Sequence, residues 1–300
     1  MTMVDANYEN YLSIINDHIL DFLPDIDNKS ITLYDSMKYS LLAGGKRLRP
    51  VLLLGACEIS GGDVMAAIPY ACAIEYVHTY SLLHDDLPCM DDDDLRRGIA
   101  TNHKVYGEDI ATLAGDGLLN SAFEAMYRDM FLYFDDPDAL KARVRAAYEI
   151  AKGAGCTGMV AGQVADVEAE GKACSPEMLD YIHLNKTAAL ITAAVRAGAM
   201  LGNADKKMLD DLTDYAEAIG LAFQIQDDML DVTGTVEELG KNVGMDKELS
   251  KTTYPAVHGM EASKARADEL HELALDSIAD YYDNAEFFIN IVEALRNRRK

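Results

Sequence analysis

The chain has 300 residues, 49% apolar and 26% charged, a globular balance that excludes a disordered chain and a length that suits one large domain or two. Lys and Arg number 27 against 51 Asp and Glu, a net charge of −24. That charge excludes counterion-driven nucleic-acid binding and docking on anionic lipid, and it leaves any anionic substrate to local basic residues or metal ions.

From the N-terminus, MTMVDANYENYL lacks the basic and apolar segments of a signal peptide. Helical periodicity predicts helices over 5–22 and 32–43. The loop Gly44-Gly45-Lys46-Arg47-Leu48-Arg49-Pro50 then precedes a helix over 50–60, with Pro50 at its first position and Gly61-Gly62 ending it. The amides at such a helix start favour an anion, though the loop lacks the spacing of a nucleoside-triphosphate loop. The next helix, 64–87, is apolar on most faces and predicted to be central. It runs into an acidic cluster, His84-Asp85-Asp86-Leu87-Pro88-Cys89-Met90-Asp91-Asp92-Asp93-Asp94, with Arg96-Arg97-Gly98 just beyond. A short helix is predicted over 91–97.

Leu119, Ala122, Phe123, Met126 and Met130 form one stripe of a helix over 108–134. Asp135-Asp136-Pro137 breaks it before 138–153. Helices over 157–170 and 176–184 follow, the latter capped by Ser175 with Pro176 at its first position. The helix 186–202 opens with Lys186-Thr187; its apolar window is too short to span a bilayer and contains Arg196. Further helices are predicted over 206–233, 246–250, 254–258, 262–280 and 284–297. No linker and no series of strands interrupts them, so the expectation is one all-α domain over 1–300. Five scattered cysteines, Cys57, Cys72, Cys89, Cys156 and Cys174, read as reduced thiols of a cytoplasmic protein.

The carboxylates carry the chemistry. In Gln224-Ile225-Gln226-Asp227-Asp228-Met229-Leu230-Asp231, Asp227 and Asp231 stand at i, i+4 on one helical face. Converging carboxylates beside an apolar wall repel one another, and a divalent cation relieves that repulsion; oxygen ligands favour Mg²⁺. In the first cluster Pro88 turns the chain, so Asp85 and Asp91 could approach one metal from either side of the bend. The guanidinium groups of Arg96 and Arg97 suit a phosphate-bearing ligand. Alone, Asp91 to Asp94 reads as a solvated acidic turn, and a single DDxxD occurs by chance in an acidic chain. The two together, one followed by a basic pair, point to a metal–diphosphate site. A calcium-binding helix–loop–helix is excluded by the missing ligand spacing.

At these residues the chain resembles the trans-isoprenyl (polyprenyl) diphosphate synthases, most closely the bacterial farnesyl diphosphate synthases. The matching segments are GGKRLRP (44–50), YSLLHDDLPCMDDDDLRRG (80–98), GMVAGQVAD (158–166), HLNKTAAL (183–190), FQIQDDMLDV (223–232) and GKNVGMDKELSKTTYP (240–255). The resemblance implies an all-α isoprenoid synthase fold around a deep cavity and a homodimer. It implies three Mg²⁺ ions, with Mn²⁺ a possible substitute, held by Asp85, Asp86, Asp91, Asp227 and Asp231. Arg96, Lys186, Thr187, Gln224, Lys241 and Lys251 would hold the allylic diphosphate or stabilise the cation, with Lys186, Thr187 and Gln224 catalytic. Lys46, Arg49, His78 and Arg97 would hold isopentenyl diphosphate. Tyr80 and Ser81, under Asp85 on the same helix, would limit product length, and with the extra Pro88-Cys89 they imply a C15 product, with C20 the alternative. A basic tail, Leu295 to Lys300, helps close the site in relatives. Rival readings are a class I terpene cyclase, a metal-dependent phosphohydrolase and a non-catalytic subunit; GGKRLRP and two complete aspartate clusters favour the two-substrate enzyme.

Overall fold

The computed structural model describes residues 6–25, 27–172, 174–233 and 252–298. The architecture is all-α. The central layer is α4 (Val64–Asp85), flanked by α3 (Leu48–Ile59) and α6 (Glu108–Phe131), and α10 (Ala189–Leu201), packed on α3 and α7 (Pro137–Ala154). Beyond them α11 (Lys206–Thr233) lies against α10 and against α13 (Met260–Ser277). The outer helices are α1 (Ala6–His18), α2 (Ile31–Leu42), α5 (Asn102–Tyr106), α8 (Met159–Ala169), α9 (Pro176–Ile182), α12 (Tyr254–His258) and α14 (Glu286–Arg296). As the apolar runs predict, α4 and α10 supply much of the core: Tyr70, Ile74 and Tyr76 on the first, and Leu190, Ala194 and Val195 on the second, are fully buried. Gly198 lets α10 approach the α3 backbone so closely that a methyl there would lie 2.9 Å from the Leu53 carbonyl carbon.

The punctuation seen in the sequence sets the helix ends. Asp136 accepts a hydrogen bond from Ala139 N at 3.1 Å, with Pro137 in the first turn, and Ser175 accepts from Met178 N at 3.3 Å. These bonds satisfy amides that have no partner within the helix. Gly61, at φ 85°, closes α3.

Three expectations are corrected. Residues 91–97 do not form a helix. Four successive carboxylates disfavour one, and Asp92, Arg97 and Gly98 all have positive φ (50°, 55° and 82°). Arg97-Gly98 instead makes the two-residue turn of a hairpin between β1 (Leu95–Arg96) and β2 (Ile99–Ala100), with Leu95 opposite Ala100; positive φ at both turn residues matches the strand twist. Pro50 is the third residue of its helix, which begins at Leu48 behind a left-handed Arg47 (φ 49°); the whole first turn lacks internal N–H partners, so proline is tolerated there. Lys186 and Thr187 do not open a helix. They lie inside a π turn, His183–Ala188, that joins α9 to α10 without a break. The predicted helix over 246–250, with Lys241 and Lys251, lies outside the described residues.

Among the described residues no helix is long and apolar enough to cross a membrane, and all five cysteines are free thiols.

Candidate active site

Helix α4 carries two charge centres. Near its C-terminus the backbone turns so that Asp91 N donates to Asp85 O at 2.9 Å, which brings the two ends of the first cluster together. Burial pushes the Asp85 carboxyl up to about 6, with Lys186 opposing that shift and the charges of Asp91 and Asp86 adding to it. Asp85 Oδ1 accepts from Gln163 Nε2 on α8 at 2.8 Å. Asp86 is buried and held from the hairpin, accepting from Arg96 Nε at 2.9 Å; Arg96 also reaches Asp93 at 2.9 Å. The hairpin that replaces the expected helix is thus what aims Arg96 at the cluster.

Two turns earlier, His78 faces a basic group. Its pKa lies well below the usual histidine range, through burial and then the charges of Arg49, Arg97, Arg47 and Arg96. Burial pulls Arg49 down to about 10, against the attraction of Glu75 and with the repulsion of Arg97; its Nε is buried without a hydrogen-bond partner. Arg97 donates to Gly44 O, and its guanidinium lies across Gly45 so closely that a methyl there would be 2.5 Å from Cζ. Arg47, absent from the sequence-predicted set, is not free to bind a ligand: its Nη1 donates to Glu75 Oε1 at 2.6 Å, with both side chains buried. This pair fixes the junction between the loop that bears Lys46 and the first turn of α3, which bears Arg49. The surplus of positive charge beside a buried, unpartnered Nε is chemistry that suits an anion.

The π turn supplies the third part. Lys186 Nζ pairs with Asp166 of α8 at 2.5 Å. Thr187 Oγ1 donates to Gln224 Oε1 at 2.7 Å, and Gln224 Nε2 donates to Asp228 at 3.0 Å. A π turn widens the helix by one residue and often sits at functional positions. Gly162 of α8 packs directly on it, where a methyl would lie 2.6 Å from Lys186 Cα. On α11 the second cluster divides: Asp227 is half-buried and accepts from Arg298 Nη2 at 2.7 Å, whereas Asp231 is 7% exposed. The Arg298 guanidinium also lies 4.4 Å over the Phe223 ring. Tyr80 is buried edge-on against His84, 5.7 Å between rings, and Ser81 Oγ turns back to His78 O at 2.9 Å.

No three His, Cys, Asp or Glu side chains among the described residues converge to a metal-holding group. The donor chemistry still fits a hard cation. Asp85, Asp91 and Asp227 are oxygen donors, and burial, which raises Asp85 first, with the charges of Asp91 and Asp86 adding to it, makes its carboxylate costly unless a cation offsets the charge. Asp86 is instead committed to Arg96. Gln163, Asp166, His183 and Asp228 were not singled out in the sequence as site residues, and Arg298 entered only as part of the basic tail. Gln163 and Asp166 share a helix face at i, i+3 and lie in GMVAGQVAD, one of the segments that carry the resemblance; those were their signals.

The family model for polyprenyl synthetase matches residues 31–286. The large subunit 1 of the heterodimeric chloroplastic geranylgeranyl pyrophosphate synthase of Arabidopsis thaliana is 48% identical over 254 residues, covering 84% of this chain and 68% of that protein. The geranylgeranyl diphosphate synthase of Cyanophora paradoxa is 45% identical over 285 residues, covering 90% and 93%. Among solved structures, an FPP/GFPP synthase from Zymomonas mobilis in its apo form superposes with a TM-score of 0.83 at 32% identity, covering 95% of each chain. A geranyltransferase from Helicobacter pylori, complexed with magnesium and isoprenyl diphosphate, gives a TM-score of 0.83 at 28% identity over 99% of this chain and 98% of that one. With the fold, the two aspartate clusters and these likenesses, the chain belongs to the polyprenyl synthetase family and is a trans-prenyltransferase of the isoprenoid synthase fold.

Proposed function

We propose that the enzyme condenses isopentenyl diphosphate with allylic diphosphates and carries the product to C20. The observation behind the two-substrate reading is the pair of unlike charge centres on α4. Seven residues separate His78 from Asp85, about 10 Å along the axis. One centre is cationic by itself and suits a diphosphate held by Lys46, Arg49, His78 and Arg97. The other is a carboxylate group that suits a diphosphate held through metal, with Arg96, Lys186 and, from the segment outside the described residues, Lys241 and Lys251. Bound Mg²⁺, three ions in our reading with Mn²⁺ a substitute, would supply charge neutralisation for the departing diphosphate. Asp85, Asp91 and Asp227 would hold it, with Asp86 and Asp231 behind them.

The allylic C–O bond breaks, and the electron pair leaves with the diphosphate. The Lys186 ammonium draws the departing diphosphate, the oxygen ends of the Thr187 and Gln224 dipoles face the resulting cation, and the apolar walls keep water from it. The isopentenyl double bond forms the new C–C bond. The proton lost from the adjacent carbon goes to an oxygen of the released diphosphate, so no side-chain nucleophile is needed.

Relatives named for geranylgeranyl products, 45–48% identical in the two cases above, support C20. Tyr80, five residues before Asp85, favours a second reading in which growth stops at C15. Purified protein with Mg²⁺, labelled isopentenyl diphosphate and dimethylallyl, geranyl or farnesyl diphosphate decides between them. Farnesyl diphosphate extended to C20 supports the first reading; accumulation of C15 with refusal of farnesyl diphosphate moves the assignment to the second, and Tyr80→Ala should then lengthen the product. No condensation with any primer overturns both. In the same assay Asp85→Ala and Asp227→Ala are expected to lower turnover by about 10²–10³-fold or more with the helical circular dichroism retained.

The same reading places the whole chain, 1–300, in one catalytic domain that works as a homodimer. Free thiols at all five cysteines support a reducing compartment such as the cytoplasm.

A further inference from the structure

The two neighbouring carboxylates Asp227 and Asp228 lie in different surroundings. Successive residues on a helix are turned by about 100°. Asp227 is half-buried and meets Arg298, whereas Asp228 is turned into the protein and only 6% exposed. Asp228 accepts two hydrogen bonds, from Gln224 Nε2 on Oδ1 at 3.0 Å and from the Tyr254 backbone N–H on Oδ2 at 2.7 Å, and His183 Nε2 lies 3.3 Å from Oδ2. His183 opens the π turn and Thr187 lies within it. Asp228, Gln224, Thr187 and His183 therefore close a ring between that turn and α11.

We propose that Asp228 is a positioning residue that fixes which end of the Gln224 amide faces the reacting allylic carbon. The proposal rests on the condensation reading above. A carboxylate has no proton to give, so it can meet only the NH₂ end of a primary amide. The two ends of a glutamine amide have nearly the same shape, and their assignment is set by their partners. With Nε2 held by Asp228, Oε1 must turn toward Thr187, whose hydroxyl donates to it at 2.7 Å. The negative end of the amide dipole is then presented on the side of Thr187, where positive charge develops as the C–O bond breaks. A fixed dipole of that sign stabilises the transition state, and the reversed dipole opposes it. Asp228 touches neither substrate nor metal in this scheme; it acts through Gln224.

The test exchanges the amide and the acid. In Asp228→Asn the new carboxamide oxygen can still accept the Tyr254 N–H, but its NH₂ faces residue 224 and turns that amide around. Adding Gln224→Glu restores an oxygen acceptor toward position 228 and an oxygen toward Thr187, with the total charge unchanged. Steady-state kinetics of the full chain with both diphosphates, Mg²⁺ titrations and thermal melts are measured for wild type, Asp228→Asn, the double variant and Gln224→Met. Asp228→Asn is expected to lose about 100-fold in kcat, with both KM values and the Mg²⁺ midpoint within about threefold. The double variant should recover at least about tenfold of that loss. Gln224→Met, which has no amide to orient, should lose kcat as Asp228→Asn does, and it reads the same dipole if Asp228→Asn fails to fold. An Asp228→Asn enzyme within threefold of wild-type kcat overturns the proposal. So does a double variant no faster than the single, which would leave Asp228 as a mere anchor for Tyr254, or full turnover by Gln224→Met. Wild-type protein that condenses no primer overturns the condensation reading and this proposal with it, and is told apart by the control arm.

Discussion

His271 on α13 shows how one buried side chain sets a pH response. It is fully buried, and neither ring nitrogen has a hydrogen-bond partner among the described residues. Burial, followed by the charge of Arg296, holds its pKa below the ordinary 6.5. The fold thus keeps the ring neutral while the unfolded chain takes up a proton below pH 6.5. Stability from this residue is complete above that pH and is lost as the pH falls, by up to about 1.4 kcal/mol per unit for one proton bound only in the unfolded state. His78 shifts in the same direction, so the slope is shared. Asp85, raised to about 6, contributes with the opposite sign in the same window, so the test is differential. From pH 7 to pH 5 His271→Leu should lose less melting temperature, or gain more, than the wild type, and an identical slope in the variant would remove His271 from the account. The residue scale is also where the sequence was least informative. Asp85, Asp227 and Lys186 stood out by type and spacing. Arg47, between Lys46 and Arg49, differs from them only through its buried pairing with Glu75; that pairing joins residues 28 positions apart and leaves no local pattern.

At the scale of elements, helices and caps were legible because their signals are local: apolar stripes, Ser175-Pro176, Asp136-Pro137 and the glycines after α3. The hairpin was not, because its determinants are mutual. Arg96 reaches back to Asp86, and Thr101 Oγ1 donates to Asp93 O at 2.7 Å; an acidic run read alone shows neither contact. The π turn was missed for the same reason, since its stabilisation comes from α8 and α11 on either side. Gly162 is the point of closest approach, so Gly162→Ala should force α8 and the π turn apart. We expect a loss of about 1–3 kcal/mol in stability from overpacking together with a raised KM for the allylic substrate, measured by denaturant melts and steady-state kinetics. An alanine variant with wild-type values for both would mean that the turn does not depend on this contact.

For the molecule as a whole, the acidic chain exposes apolar side chains where α6 ends: among the described residues Phe131, Leu132 and Phe134 are all more than half exposed, Leu132 at 79%, and the Phe131 and Phe134 rings meet edge-on at 5.4 Å. An exposed aromatic cluster of this kind suits an interaction surface, and with a net charge of −24 on each chain, association must overcome repulsion elsewhere. In the homodimer proposal this region faces its copy. Light scattering after gel filtration should give twice the chain mass, and Phe131→Asp with Leu132→Asp should halve it, most readily at low salt where repulsion is least screened. A monomeric wild type would remove the proposal.

The π turn also has a genetic meaning. Its Ala189 N–H reaches back five residues to Leu184 O, one more than an α-helix uses, so the turn amounts to a single surplus codon. Without that codon α9 and α10 could run as one regular helix, with every side chain on one limb rotated by about 100° relative to the other. Lys186 and Thr187 would leave Asp166 and Gln224 while both aspartate motifs stayed intact in the gene. A copy silenced in this way would look complete to anyone counting aspartates, and only the length of the stretch between Pro176 and Gly202 would reveal it.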